Sequence, residues 1–206
     1  MKKIVLFSVA ALLCLKVTGQ GQAETFIQEA QEFLANKEYK QATLSLQDAI
    51  NDINLSLAKQ VAESLPAEIN GLKAEGEAEV NSAGMGMVGG GMQIIKRYSN
   101  ETKTDNDAEV QILANSPMLS TLNMYLTNPA MLGQGYKSVR IGSNRAVAKT
   151  DIQDDGNGNK SRSTEIQVPL GQTMITIRTN GFATEQEEIA FATKLDLEKI
   201  RTALGE

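Results

Sequence analysis

The stretch "MQIIKRYSNETKTDNDAEVQILA", residues 92–114, carries the period that decides the fold. Met92, Ile94, Lys96 and Tyr98 alternate with Gln93, Ile95 and Arg97, and a polar run from Asn100 to Asn106 follows. Ala108, Val110, Ile112 and Ala114 then alternate with Glu109 and Gln111. In a strand, successive side chains point to opposite faces, so a period of two builds one apolar and one polar face. The stretch therefore reads as two antiparallel strands joined by a turn.

The same period recurs downstream. Tyr136 to Ile141 and Arg145 to Thr150 flank Gly142-Ser143-Asn144, and Ser161 to Val168 and Thr173 to Thr179 flank Pro169-Leu170-Gly171-Gln172. Both connections carry turn residues, which favours antiparallel pairing. Upstream, Ile69 to Glu75 reads as one short first strand, and Ala74 to Asn81 as a polar, acidic connection. Between the strand pairs, Ser116-Pro117 has the form of an N-cap and first helical position, leading into Met118, Leu119, Leu122 and Leu126. Asn128-Pro129 repeats the device for one more turn, Ala130 to Leu132. Near the end, Thr184-Glu185-Gln186-Glu187 is a capping box, and Asp196 caps a last short helix. The expected fold is α+β: an antiparallel sheet with helices packed on it, spanning residues 66–206.

Residues 24–65 follow the helical period instead. Phe26, Ala30 and Phe33 share one face; Ala42, Leu46, Ala49, Ile53, Leu57 and Val61 share another; Asn36-Lys37-Glu38 separates them and Pro66 ends the run. This predicts an antiparallel helical hairpin. Residues 26–54 resemble a single tetratricopeptide repeat, with Phe26, Ala30, Phe33, Tyr39, Ala42, Leu46 and Ala49 at that repeat's spacing. Asn54 stands where the repeat has proline, and no second copy follows. A lone repeat builds no groove of its own, so the expectation is a brace docked on its own domain or on a partner.

The first residues point to export. Met1-Lys2-Lys3 precedes a twelve-residue apolar run, Ile4 to Leu15, closed by Lys16. That is too short to span a bilayer and has the layout of a signal peptide within residues 1–23. Small residues allow cleavage after Gly19 or after Ala23. Leu13, before Cys14, is not the small residue that a lipidation signal wants. The expected location is periplasmic or secreted, with no transmembrane span in the mature chain. Removing the leader's three lysines takes the net charge from −5 to −8. An acidic chain without a basic run lacks the electrostatic footprint for nucleic acid.

Absences close most catalytic routes. The chain has no His and no Trp, and its one Cys, Cys14, lies in the leader. Ser-His-Asp and Cys-His nucleophiles, CxxC redox chemistry and ordinary zinc sites are excluded. Carboxylate-based catalysis survives as one alternative, and metal binding as another. Asp151 to Asn159, "DIQDDGNGN", places Asp151, Asp155 and Asn157 in a turn with partial calcium-loop spacing, although Arg162 stands where a bidentate Glu belongs. Met85 and Met87 offer thioethers that suit Cu(I).

Gly84 to Gly89 is a literal G-x-G-x-x-G. A dinucleotide fingerprint needs a helix after the glycines, and here a strand begins at Met92, so no nucleotide or other cofactor is expected. Met85, Met87, Val88 and Met92, with Phe26 and Phe33 on the hairpin, are the expected partner contacts, and the partner is another exported or envelope protein. The order of landmarks resembles an uncharacterised group of small exported bacterial domains. These are Leu65-Pro66, Gly71, the Gly-rich stretch before Met92, Asn115-Ser116-Pro117-Met118-Leu119, Asn128-Pro129 and Leu195-Asp196-Leu197. The likeness covers residues 65–206 and is also similar to the PsbP-type fold, whose members mostly hold other proteins. That resemblance implies a non-enzymatic accessory or binding module and supplies no catalytic residues.

Overall fold

The computed structural model describes residues 22–83, 91–131, 133–154 and 160–206. It is an α+β protein built on a nine-stranded antiparallel sheet. The strands are β1 (Glu68–Ile69), β2 (Leu72–Ala74), β3 (Glu79–Ala83), β4 (Gly91–Ser99), β5 (Asp107–Ala114), β6 (Tyr136–Ile141), β7 (Asn144–Asp154), β8 (Lys160–Leu170) and β9 (Thr173–Asn180). The helices are α1 (Ala23–Ala35), α2 (Tyr39–Ser64), α3 (Leu119–Thr127), α4 (Glu185–Thr193) and α5 (Leu197–Leu204). The sheet runs β1-β2-β4-β5-β9-β8-β7-β6, and β3 pairs with β4 on the edge that β2 also uses.

The opening hairpin forms as its period requires. Arg97 faces Glu109, and Tyr98 faces Ala108 across the β4–β5 pair. Met92, Ile94, Tyr98, Ala108, Val110 and Ile112 are buried in one core with Ile166, Val168, Ile175 and Ile177 of the central strands. The helices α4 and α5 and the C-terminal half of α2 close that core. Fully burying each such side chain contributes roughly 1.5–3 kcal/mol. Phe191 of α4 stacks edge-on against Tyr98 at 5.6 Å and Phe182 at 5.9 Å. Where β9 ends, Gly181 has φ +67°, and a Cβ there would lie 2.1 Å from the Asp105 carbonyl oxygen, so only glycine lets the two backbones approach.

Several expectations need correction. Ile69 to Glu75 is not one strand: Asn70 and Gly71 take φ of 50° and 84° and fold β1 back on β2. Positive φ at both central residues is the Asn-Gly hairpin turn. The polar segment after Ala74 also contains a strand, β3, which is held by pairing with β4 rather than by its own composition. Helix α3 begins at Leu119, after a turn in which the Ser116 hydroxyl accepts the Met118 N–H at 3.3 Å. Strand β7 continues through Asp154 and β8 begins at Lys160, so both reach further into the Asp151–Asn159 stretch than expected.

The two expected capping devices near the end are in place. The Thr184 hydroxyl accepts the Glu187 N–H at 3.3 Å, and Asp196 accepts the Lys199 N–H at 3.0 Å.

Candidate functional site

Three regions hold the chemistry-bearing side chains: the open face of the sheet, the covered face beneath α4, and the α1–α2 hairpin. On the open face the strand registers line up a row of opposite charges. Arg97 lies between Glu79 at 2.5 Å and Glu109 at 3.2 Å, and Arg178 lies between Glu109 at 2.9 Å and Glu165 at 3.0 Å. Lys149 stands opposite Glu165, pairs with Asp151 at 3.1 Å and lies 5.8 Å from the centre of the Tyr136 ring. Hydrogen bonding to Asp151, with its charge, raises the Lys149 ammonium above its usual value. Each arginine is thus held by two carboxylates, so a ligand would have to displace one pair to make another. The row fastens six strands in register. Helix α3 covers one end of this face, with Leu122 and Leu126 on Val147 and Met174. Arg145 donates to the Leu126 carbonyl near its C-terminus at 2.5 Å.

Beneath α4, Glu188 is 1% exposed, and Arg162 of β8 grips it in bidentate fashion at 2.8 and 3.0 Å. Arg162 also reaches the Thr150 hydroxyl at 3.4 Å, and Thr150 and Thr164 share a hydrogen bond of 3.0 Å. The hydrogen bonds that Arg162 donates to Glu188, ahead of that carboxylate's charge, hold the guanidinium above its ordinary value against the opposing effect of burial. A carboxylate paired through both oxygens in this way ties a helix to a sheet. Arg162, which stands at the bidentate-ligand place of the calcium-loop spacing, is thus paired with Glu188.

A cleft of about 370 Å³ opens between the β6–β7 turn and the α4–α5 junction, and two carboxylates line it. Asp196 caps α5, and Glu198 makes two bonds to Arg201 at 2.8 and 2.9 Å. Both are engaged in holding α5. Among the described residues no group of three acidic, His or Cys side chains is placed to hold a metal ion. Asp151 sits in β7 beside Lys149; Asp155 and Asn157, with Met85, Met87 and Val88, lie outside the described residues. The G-x-G-x-x-G segment connects two adjacent antiparallel strands, since Ala83 pairs with Gly91, and no helix follows it. Met92 is 3% exposed within the core, so its side chain is not offered to a partner.

The hairpin is different. Ala30 of α1 and Ala42, Ser45 and Ala49 of α2 are buried at the helix contact. These small residues bring the backbones close, which displaces bulkier neighbours to the flanks. Phe26 and Phe33 are half-buried on one flank. On the other, helical phasing sets Ile27 and Leu34 of α1 beside Leu46, Ile50 and Ile53 of α2. These five side chains are 39–50% exposed. Leu46 and Ile53, which share the apolar period of Ala42 and Ala49, thus stand in solvent.

The root of α2 is rigidly held. Ala49 and Ala58 are about half a turn out of phase, so α2 meets α1 on one side and the sheet on the other. Its C-terminus is pinned twice from β4: Lys96 Nζ donates to the Leu65 carbonyl at 3.3 Å, and the Tyr98 hydroxyl donates to the Pro66 carbonyl at 3.0 Å. Burial pushes the Tyr98 phenol up to about 12. Period alone could have found Ile27 and Leu34, which lie seven residues apart, but the flank they face depends on where the small residues let the helices meet.

No protein-family model matches the chain, and no curated protein matches it in sequence. Among the described residues no helix is long and apolar enough to cross a membrane.

Proposed function

We propose that this chain is an exported, non-enzymatic accessory or binding module that holds another exported or envelope protein through the α1–α2 hairpin. The observation that carries the reading is the apolar flank of Ile27, Leu34, Leu46, Ile50 and Ile53, displayed on a helix whose other end is built into the sheet core. Contiguous exposed apolar surface on a folded domain marks contact sites, and a rigid presentation lowers the entropy lost on docking. The charge pattern supports the same reading from the other side. The ionic groups of the sheet are taken up by one another, which leaves hydrophobic burial as the main driving force for association. The resemblance to PsbP-type domains, which mostly hold other proteins, points the same way.

The test is affinity capture from the envelope and culture medium of the source cells. The wild-type chain and an Arg97→Ala variant should retain the same discrete partner, whereas a Leu46→Asp/Ile50→Asp variant of unchanged melting temperature should lose it. Equal capture by the double variant would remove the hairpin from the contact.

A further inference from the structure

We infer that a second copy of this chain covers the apolar flank when no other partner holds it, the two hairpins lying antiparallel about a two-fold axis near Leu46. This goes beyond the reading above, since the chain itself is the occupant of the same flank. The exposed stripe of α2 has the spacing of a coiled-coil seam: Tyr39, Thr43, Leu46, Ile50 and Ile53 follow one another at four, three, four and three residues. A seam of that period is covered by another helix. A single helical hairpin cannot bury all of its apolar surface, and stacking a second one completes the core. The seam carries no charged side chain, so a chain of net charge −5 brings no like charges together at its centre.

The two ends of the hairpin complement one another. At its tip stand Tyr39, 65% exposed, and Lys40, also exposed. At its root, a groove of about 340 Å³ is lined by Ile53 and Leu57 together with the acidic residues Glu24 and Asp52. Such a groove suits a phenol ring with a hydroxyl donor and an ammonium beside it. The Ala23 N–H donates to Asp52 at 2.9 Å, which at equal helical rise sets Glu24 about level with Asn51, and Leu34 about level with Gln41. A two-fold axis near Leu46 then brings Tyr39 of each copy to the level of Ile53 in the other. It also sets Lys40 beside Glu24 and Leu34 opposite Ile50, and the symmetry makes each contact twice. From Tyr39 to Ile53 the face is roughly 21 Å long, and two helices side by side make it about 18 Å wide. The pair would bury on the order of 800 Å², the size of a weak, reversible interface that yields to a tighter partner.

Sedimentation equilibrium of the purified chain tests this. A reversible monomer–dimer equilibrium is expected, with a dissociation constant of about 10–100 µM. Leu46→Asp/Ile50→Asp should stay monomeric up to the highest concentration reached. Tyr39→Ala and Lys40→Glu change exposed positions and should each weaken the dimer about 10-fold at unchanged melting temperature. Adding Glu24→Lys to Lys40→Glu should restore most of that loss. A wild-type chain that is monomeric throughout overturns the inference, as does a dimer that persists in Leu46→Asp/Ile50→Asp. A charge swap that restores nothing overturns the antiparallel arrangement, and the inference with it. Affinity capture separates the two readings: a monomeric chain that still retains an envelope protein sinks this inference alone, and a dimer that retains none sinks only the reading above.

Discussion

On the open face of the sheet Arg97 and Arg178 are each held between two carboxylates, whereas along one flank of the hairpin five bulky aliphatic side chains stand in solvent. The sheet has many charged groups and leaves little of that charge available to a ligand. The hairpin carries its unmet demand as apolar area. Charge density is therefore a poor guide to where this molecule binds, because pairing cancels it, while exposed apolar surface stays costly until something covers it.

The comparison can be broken most forcefully at the covered ion pair. Glu188→Ala leaves Arg162 partly buried without its partner and should destabilise the protein by about 3 kcal/mol in urea unfolding. Adding Arg162→Met should recover much of the loss. On the hairpin, Ala49→Leu forces bulk into the α1–α2 contact and should cost about 2 kcal/mol, with amide exchange accelerating in α1 before it does in β5.

Tyr98→Phe removes the bond to the Pro66 carbonyl at the root of α2 and should cost about 1 kcal/mol. It should also change the alkaline profile. The folded phenol is raised to about 12 from 10.0, so the unfolded chain ionises first. Wild-type stability from this group is intact below about pH 10 and is lost between about pH 10 and 12, and the variant should lack that step. On the open face, Arg97→Ala should cost less than about 1 kcal/mol, with the effect shrinking as salt is added. The smallest change belongs to the hairpin flank, where Ile50→Gln should alter stability by no more than about 0.5 kcal/mol. A loss above that would mean that Ile50 supports the fold rather than a contact.

The parts of the fold legible in the sequence are those where local pattern and tertiary environment agree. The alternation over residues 92–114 produced β4 and β5 because one face meets the helices and the other meets water. Thr184 and Asp196 signalled helix starts because a cap depends on neighbours within three residues. Strand β3 was not legible. Its pairing partner supplies what Glu79, Asn81 and Ser82 lack in propensity. Leu46 and Ile53 have the period of a buried face, yet period fixes only which residues share a side, not which side meets a neighbour. Nothing local singles out Glu188 from the other acidic residues at the start of α4, because its arginine lies 26 residues away. That Asp151 continues a strand and that Arg162 pairs with Glu188 were not legible for the same reason, since both depend on partners distant along the chain.

The sequence by itself determined the α+β class, the two helix periods, the strand alternation and the caps, together with the absence of any histidine for His-dependent chemistry. All of these follow from residues within a few positions of one another or from residues the chain does not contain. Only the tertiary structure decided that β3 completes the sheet, that Met92 is core, and that the open-face charges are spent on one another. It alone also decided that the apolar flank of the hairpin faces solvent. Each of those outcomes depends on a neighbour brought in by the fold, and packing chooses such neighbours at distances along the chain that no local pattern encodes.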